Sequence, residues 1–203
     1  MRSFATALFM MAASVEAGSH IGSCSDLNIE GVSDFDQSKI AGRWYTIATD
    51  ASFYDSSKAC ENEDYVVNFN GTVTVGKNFY DLTNGWTQKT LHAIQNSNNR
   101  GEYATFTATD IADREANPEF KIVATDYNNW IIEYVCADII PGKFYFDIVT
   151  IKSRTSELSP TNQTLVDAIL EATLPHYDTN ELFQTSQCKI CPYSGIPEVQ
   201  GLV

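Results

Sequence analysis

KIAGRWYTIAT, residues 39–49, is the stretch against which the rest of the chain is read. Gly42 supplies a position where the backbone can bend, or approach another group, with no Cβ in the way. Trp44, two residues on, carries enough apolar area to plug one end of a barrel. The YTIA run beyond it leans toward strand. A G-x-W triplet alone occurs by chance in many β proteins, so its weight comes from the pattern of the chain downstream. After segment 43–48 come β-rich segments at 65–69, 72–80, 86–94, 102–109, 120–125, 130–137 and 144–151. Turn chemistry such as Asn70-Gly71, Asn84-Gly85, Asn128-Asn129 and Pro141-Gly142 separates them. That gives eight strands with connections too short for crossover helices. The fold class expected is all-β, an eight-stranded antiparallel up-and-down barrel. One helix is predicted after it. Ser159 or Thr161 caps it, Pro160 suits its first turn, Leu165, Val166, Ile169 and Leu170 make its apolar face, and Pro175 stops it. A single helix cannot cover both faces of a sheet, so it belongs outside the barrel.

Residues 1–17 read as a signal peptide: Arg2, an apolar ALFMMAASV stretch too short to span a bilayer, and a small-residue cleavage site at Val15-Glu16-Ala17. No later apolar run approaches transmembrane length, so the mature chain is expected to be secreted, extracellular and not an integral membrane protein. Residues 18–192 form the single domain, and 193–203 are expected to be a flexible tail. The net charge of −13 repels phosphate backbones and argues against nucleic acid as a partner. Cys24, Cys60, Cys136, Cys188 and Cys191 in an oxidising compartment point to disulfides with one thiol left over. Each long loop so closed is worth about 4 kcal/mol in the chain-entropy account. Cys188-x-x-Cys191 lacks the second close pair that a zinc site needs. Asn70-Gly71-Thr72 and Asn162-Gln163-Thr164 are glycosylation sequons.

Three separated motifs stand out: Gly42-x-Trp44, Thr125-Asp126-Tyr127 between two late strands, and Arg154 after the eighth strand. Through them the chain resembles a lipocalin across its mature length. The family's logic sets Arg154 over Trp44 at the closed end of the barrel, a cation–π contact. IVATDYNNWIIEYVC and the helix beginning SP-x-x-QTLVDAIL resemble the apolipoprotein D, insect bilin-binding protein and crustacyanin branch. That branch implies Cys24–Cys136 and Cys60–Cys188 with Cys191 spare, and Cys60–Cys191 as the competing pair. The function implied is extracellular transport or storage of one small hydrophobic molecule: a lipid, steroid, retinoid, carotenoid or bilin. Alternatives are a pigment-binding coloration protein, a filled barrel whose loops bind another protein, and a prostaglandin-isomerase-like enzyme. No cofactor is required, and a bound apolar ligand or chromophore is the one group the resemblance accommodates. A cell-surface receptor is compatible with it, and the oligomeric state is left open.

Strand alternation combined with the family pattern nominates an inward set. Ile131, Glu133 and Val135 come from one strand, Ile148, Thr150 and Lys152 from the next, and Phe120 and Ile122 from the one before. Glu133 and Lys152 depart from the apolar pattern, and buried charges are costly unless paired. Either the two pair with each other, or Glu133 meets a polar end of the ligand, or the register shifts and both face water. Phe53 and Tyr54 are candidates for a lid at the mouth, and Trp86, Tyr103 and Phe106 for the wall. A ligand burying about 400 Å² of apolar surface gains roughly 10 kcal/mol gross, which association costs reduce to micromolar-to-nanomolar binding. Catalytic readings find little footing. GTVTVGK (71–77) has phosphate-loop spacing but runs into Asn78 and opens no helix. His20, His92 and His176 have no ligand spacing, no G-x-S-x-G is present, and no cysteine falls on an inward position of the early strands.

Overall fold

The computed structural model describes residues 19–53, 55–96, 104–110, 119–187 and 191–201, with backbone alone at 53 and 108–110. Residues 1–17, read above as a signal peptide, and Tyr54, Tyr103 and Cys188 lie outside them. Ten strands form one sheet: β1 (Ser19–Ile21), β2 (Gly42–Asp50), β3 (Lys58–Val67), β4 (Val73–Asp81), β5 (Gly85–Gln95), β6 (Thr105–Asp110), β7 (Glu119–Thr125), β8 (Trp130–Ile140), β9 (Phe144–Ser153) and β10 (Leu182–Gln184). Strands β2 to β9 pair antiparallel in chain order, and β9 pairs back onto β2, closing a ring of eight. The barrel is the one expected. The short β1 adds to β9 and β10 to β2 at the outside. The second barrel strand begins at Lys58 rather than at residue 65, so Cys60 lies within it instead of before it.

The hairpins are fixed by short polar side chains. Asp126 Oδ1 accepts from the backbone N–H groups of Asn128, Asn129 and Trp130 at 2.7–3.0 Å, while Thr125 Oγ1 donates to the Trp130 carbonyl. Thr125-Asp126 is thus the fastener of the β7–β8 turn. Tyr127, in the left-handed region at φ 64°, turns back to meet Phe35 at 5.7 Å between ring centres. Asp81 Oδ1 does the same for Thr83 and Asn84 in the β4–β5 turn.

The closed end is built by the expected pair. The Arg154 guanidinium lies 3.7 Å from the Trp44 ring centre, and its N–H groups donate to the carbonyls of Lys39, Ala41 and Arg43. Trp44 is fully buried and its indole N–H donates to Ile40 O at 2.8 Å. Gly42 has φ +95°, and a Cβ there would stand 3.3 Å from Arg154 Nη1. Both the conformation and the contact select glycine.

Helix α1 (Pro160–Thr173) starts at Ser159, whose hydroxyl accepts from the Asn162 N–H at 3.2 Å. It buries Val166, Leu170 and the following Leu174 against Trp130, Ile132, Tyr134, Val149 and Ile151 on the outer wall, while Leu165 faces solvent. This outer core is separate from the interior core of Phe35, Ile40, Trp44, Tyr65, Val75, Phe106, Ile122 and Ile131.

Cys24 pairs with Cys136, and Cys60 with Cys191. The second pairing replaces the Cys60–Cys188 bond that the branch implied. The reason lies in the tail. The Cys60 N–H donates to Ser186 O, and Tyr193 OH donates to Gln187 Oε1, so contacts on either side of Cys191 hold it beside Cys60. The part of the tail described, 193–201, is held down where looseness was expected. It runs over the outer face of β3–β5, with Gln88 Nε2 donating to Pro197 O at 3.1 Å and Val199 seated where a Cβ on Gly76 would be 2.1 Å away.

Candidate functional site

Direct partners across a ladder point to the same face of the sheet. Lys77 stands opposite both Glu63 and Lys89, Ile131 opposite Lys152, Glu133 opposite Thr150, and Val135 opposite Phe120 and Ile148. That this shared face is the interior is shown by contacts that cross the ring. Tyr65 on β3 reaches Glu133 on β8, and Lys152 on β9 reaches Glu63 on β3, in each case past the strands between them.

From the closed end upward the interior has three layers. The lowest is a solid apolar plug around Trp44. Phe106, Ile122 and Ile131, expected to line a ligand, are at most 1 % exposed and belong to this plug. A side chain with no accessible surface cannot line a space that would admit even water. Phe106 packs edge-on against Phe35 and stacks on Phe120, which carries the plug up to the wall above.

The middle layer is charged. Lys152, 0 % exposed, uses all three ammonium hydrogens: on Glu63 Oε2, on Glu133 Oε2 at 2.5 Å and on Tyr65 OH at 2.8 Å. Glu63 Oε1 pairs with Lys77 Nζ at 2.9 Å. The Tyr65 phenol stands against both carboxylates, able to donate to one at a time. Of the readings open for Glu133 and Lys152, the structure contains their mutual pairing. Burial by itself pushes the Glu63 carboxyl up, but Lys152 and Lys77 together hold it well below the ordinary range. Glu63 in turn raises Lys77 above the usual lysine value. Burial, then Glu133 and Glu63, raise Tyr65 well above 10, so the phenol stays protonated.

The top layer is open. Phe120, Val135, Ile148 and Thr150 face inward and are partly exposed, as the interior of a cup must be. Lys77 is 47 % exposed although it points into the barrel, against 8 % for its partner Glu63. The charged layer is therefore the floor of a cup with apolar walls.

The nominated residues divide accordingly. Phe120, Val135, Ile148 and Thr150 line the cup, and Glu133 lies in its floor. Trp86 does not line it: Trp86 pairs with Tyr80 on the outer face, where its indole N–H donates to Pro192 O at 3.0 Å. The side chain of Phe53 lies outside the described residues. Sequence reasoning missed Glu63, Tyr65 and Lys77. Their signal was the alternation Glu63-x-Tyr65-x-Val67, visible once the strand is started early enough. Among the described residues no group of His, Cys, Asp and Glu could hold a metal ion, and no helix is long and apolar enough to cross a membrane.

Residues 41–187 match the family model described as lipocalin / cytosolic fatty-acid binding protein. Apolipoprotein D from Oryctolagus cuniculus is 27 % identical over 173 residues, covering 85 % of this chain and 86 % of the relative. Apolipoprotein D from Bos taurus is also 27 % identical, over 175 residues, 86 % of this chain and 87 % of its own. Among solved structures, insecticyanin from the tobacco hornworm Manduca sexta superposes with a TM-score of 0.71 at 20 % identity, covering 85 % of this chain and 90 % of that one. Lobster apocrustacyanin A1 gives 0.63 at 21 % identity, covering 82 % and 94 %. At such identities the structural likeness is one of fold.

Proposed function

The chain belongs to the lipocalin / cytosolic fatty-acid binding protein family, and from that premise we propose that it is a secreted carrier holding one small hydrophobic molecule in the cup. The observation supporting this is the change in exposure along one continuous inward face. That face is sealed at Phe106, Ile122 and Ile131 and opens at Phe120, Val135 and Ile148. A barrel filled by its own side chains has no such gradient. Nothing in the cup calls for catalysis. The four cysteines described are oxidised in pairs, and the charged residues of the floor neutralise one another. Secretion accords with the two disulfides, and with an exposed Asn70 on the β3–β4 turn as a glycan acceptor.

Native mass spectrometry of the protein purified from its own source tests the proposal. A mass excess of a few hundred daltons over the oxidised, processed chain, released by organic extraction, is the expected result. Visible absorbance of the same material would narrow the cargo to a chromophore. A preparation of bare mass that also fails to bind any added lipid in titration removes the carrier reading and leaves the fold standing.

A further inference from the structure

We infer that the mouth of the barrel docks on a neutral lipid surface, a zwitterionic phospholipid layer, through two apolar tips on opposite sides of the opening. β2 starts at the closed end beside Arg154, and neighbouring strands are antiparallel, so β4 and β8 run as β2 does and end at the mouth. In a ring of eight those two strands lie four apart either way round, on opposite sides. The turns that follow them therefore face each other across the rim. On one, Leu82 is 78 % exposed. On the other, residues 138–144 are all exposed and include Ile139, Ile140 and Phe144. β1 widens this second tip. Ile21, 86 % exposed, stands directly opposite Phe144, and Phe144 directly opposite Ile140, so the three share one face. That face is the inward one, because Phe144 lies an even number of residues from Ile148 along β9. The apolar wall of the cup thus continues over the rim into water.

Turn tips ordinarily carry polar residues, and a group of exposed large apolar side chains marks a contact surface. Its extent and shape identify the partner. A stable protein interface takes roughly 800 Å² and 20–30 residues from each side, and five side chains divided between two tips fall far short of that. Into a lipid layer each side chain partitions separately, so no such area is needed. A second copy would also bring a net charge of −13 against −13. The same charge favours a neutral layer over an anionic one. A flat surface that meets both tips lies across the mouth, which a knobbed protein partner would not do. Lys143, exposed between Ile140 and Phe144, lays its stem among the head groups and keeps its ammonium at phosphate level. The exposed Asn70, in a glycosylation sequon, is on the β3–β4 turn at the far end, so a glycan there stays in water. Docked this way, a molecule passes between the layer and the cup without entering water. Only that transfer rests on the carrier reading; the docking does not.

The test is flotation of the processed, disulfide-bonded protein with phosphatidylcholine vesicles, alongside sedimentation velocity without them. Binding is expected to be weak and reversible, on the order of 10⁴ M⁻¹, as for a single acyl chain. Ile21→Ser/Ile140→Ser should weaken it about tenfold, Leu82→Ser about threefold, and the three together should abolish flotation. Phe69→Ser removes a side chain that is 81 % exposed on the β3–β4 turn, at the closed end, and should leave flotation unchanged. All four positions are exposed, and an unaltered melting temperature shows that each variant folds. Replacing part of the phosphatidylcholine with phosphatidylserine should lower binding. No flotation of the wild type, flotation that the tip variants keep, a loss in Phe69→Ser, or equal or tighter binding to the anionic vesicles overturns the inference. So does a wild-type dimer in sedimentation that the tip variants dissociate, which would give the tips to a second copy. None of these results touches the carrier reading, which stands or falls on the native mass of the purified protein.

Discussion

Lys152 owes its burial to two carboxylates and a phenol that meet it from other strands, so its removal is felt through what it leaves behind. Lys152→Met would strand Glu133 and half of Glu63 in a sealed layer, and breaking a buried ion pair from one side costs about 3–5 kcal/mol. Urea denaturation is expected to show a loss of that size. Lys152→Met/Glu133→Gln, which withdraws a charge of each sign, should recover much of it. The same layer fixes a pH window. Glu63 is a stronger acid folded than unfolded, so its contribution is complete above about pH 4.3, the ordinary glutamate value, and is lost as pH falls below it. Lys77 is shifted the other way. Its contribution is complete below about pH 10.4, the ordinary lysine value, and declines above it. Melting temperature should therefore fall on both the acid and the alkaline side of this window, and Lys77→Met should lessen the alkaline decline without abolishing it, because the Tyr65 phenol is raised in the same direction. At this scale the sequence was legible where one residue serves one neighbour. Gly42, Trp44 and Arg154 could be read because a motif names them. Glu133 could be offered as one partner of Lys152 by alternation on adjacent strands; Glu63 and Tyr65 could not, since they lie almost ninety positions away and meet it only when the ring closes.

Among the elements, the strands and the capped helix arise from local chemistry: alternation, Asp-fastened turns, Ser159 before Pro160. What local chemistry cannot supply is how an extended tail packs. Residues 193–201 have little periodicity, and they are held by the glycine notch at Gly76, the Gln88 amide and the Trp86–Pro192 bond, all features of the opposite surface. The same surface draws Trp86 outward, because β5 places it opposite Tyr80 instead of opposite an interior residue. The Cys60–Cys191 bond makes this packing permanent. Cys191→Ser should lower stability by roughly 2–5 kcal/mol, the range for closing a long loop, and Cys188→Ser should leave it unchanged. Alkylation and intact mass under denaturing, non-reducing conditions give the complementary check. One modified thiol is expected in the wild type, none in Cys188→Ser and two in Cys191→Ser. Equal destabilisation by the two variants would mean that the tail closes through either cysteine.

Across the whole molecule, β8 and β9 serve two cores at once. Their outer faces hold α1 through Ile132, Tyr134, Val149 and Ile151, and their inner faces hold the charged layer and the cup wall. Neither the helix packing nor the Trp44–Arg154 plug depends on what fills the top of the barrel, so an empty protein should fold. A ligand that touches only the native state then adds stability by mass action, about 2.7 kcal/mol at a hundred times its Kd. For a chain of this length each kcal/mol is worth about 2–4 °C. Delipidated protein should melt roughly 5–10 °C higher with saturating dodecanoate. Where the ligand sits can be read from Val135→Trp, which fills the cup from an inward, partly exposed position and leaves both cores intact. That variant should melt near the empty wild type and lose the upshift. A second concavity exists outside the barrel, between α1 and β10, lined by Leu170, Leu174, Tyr177 and Leu182. An upshift that survives Val135→Trp would move the cargo there, because no change at Val135 reaches the outer face.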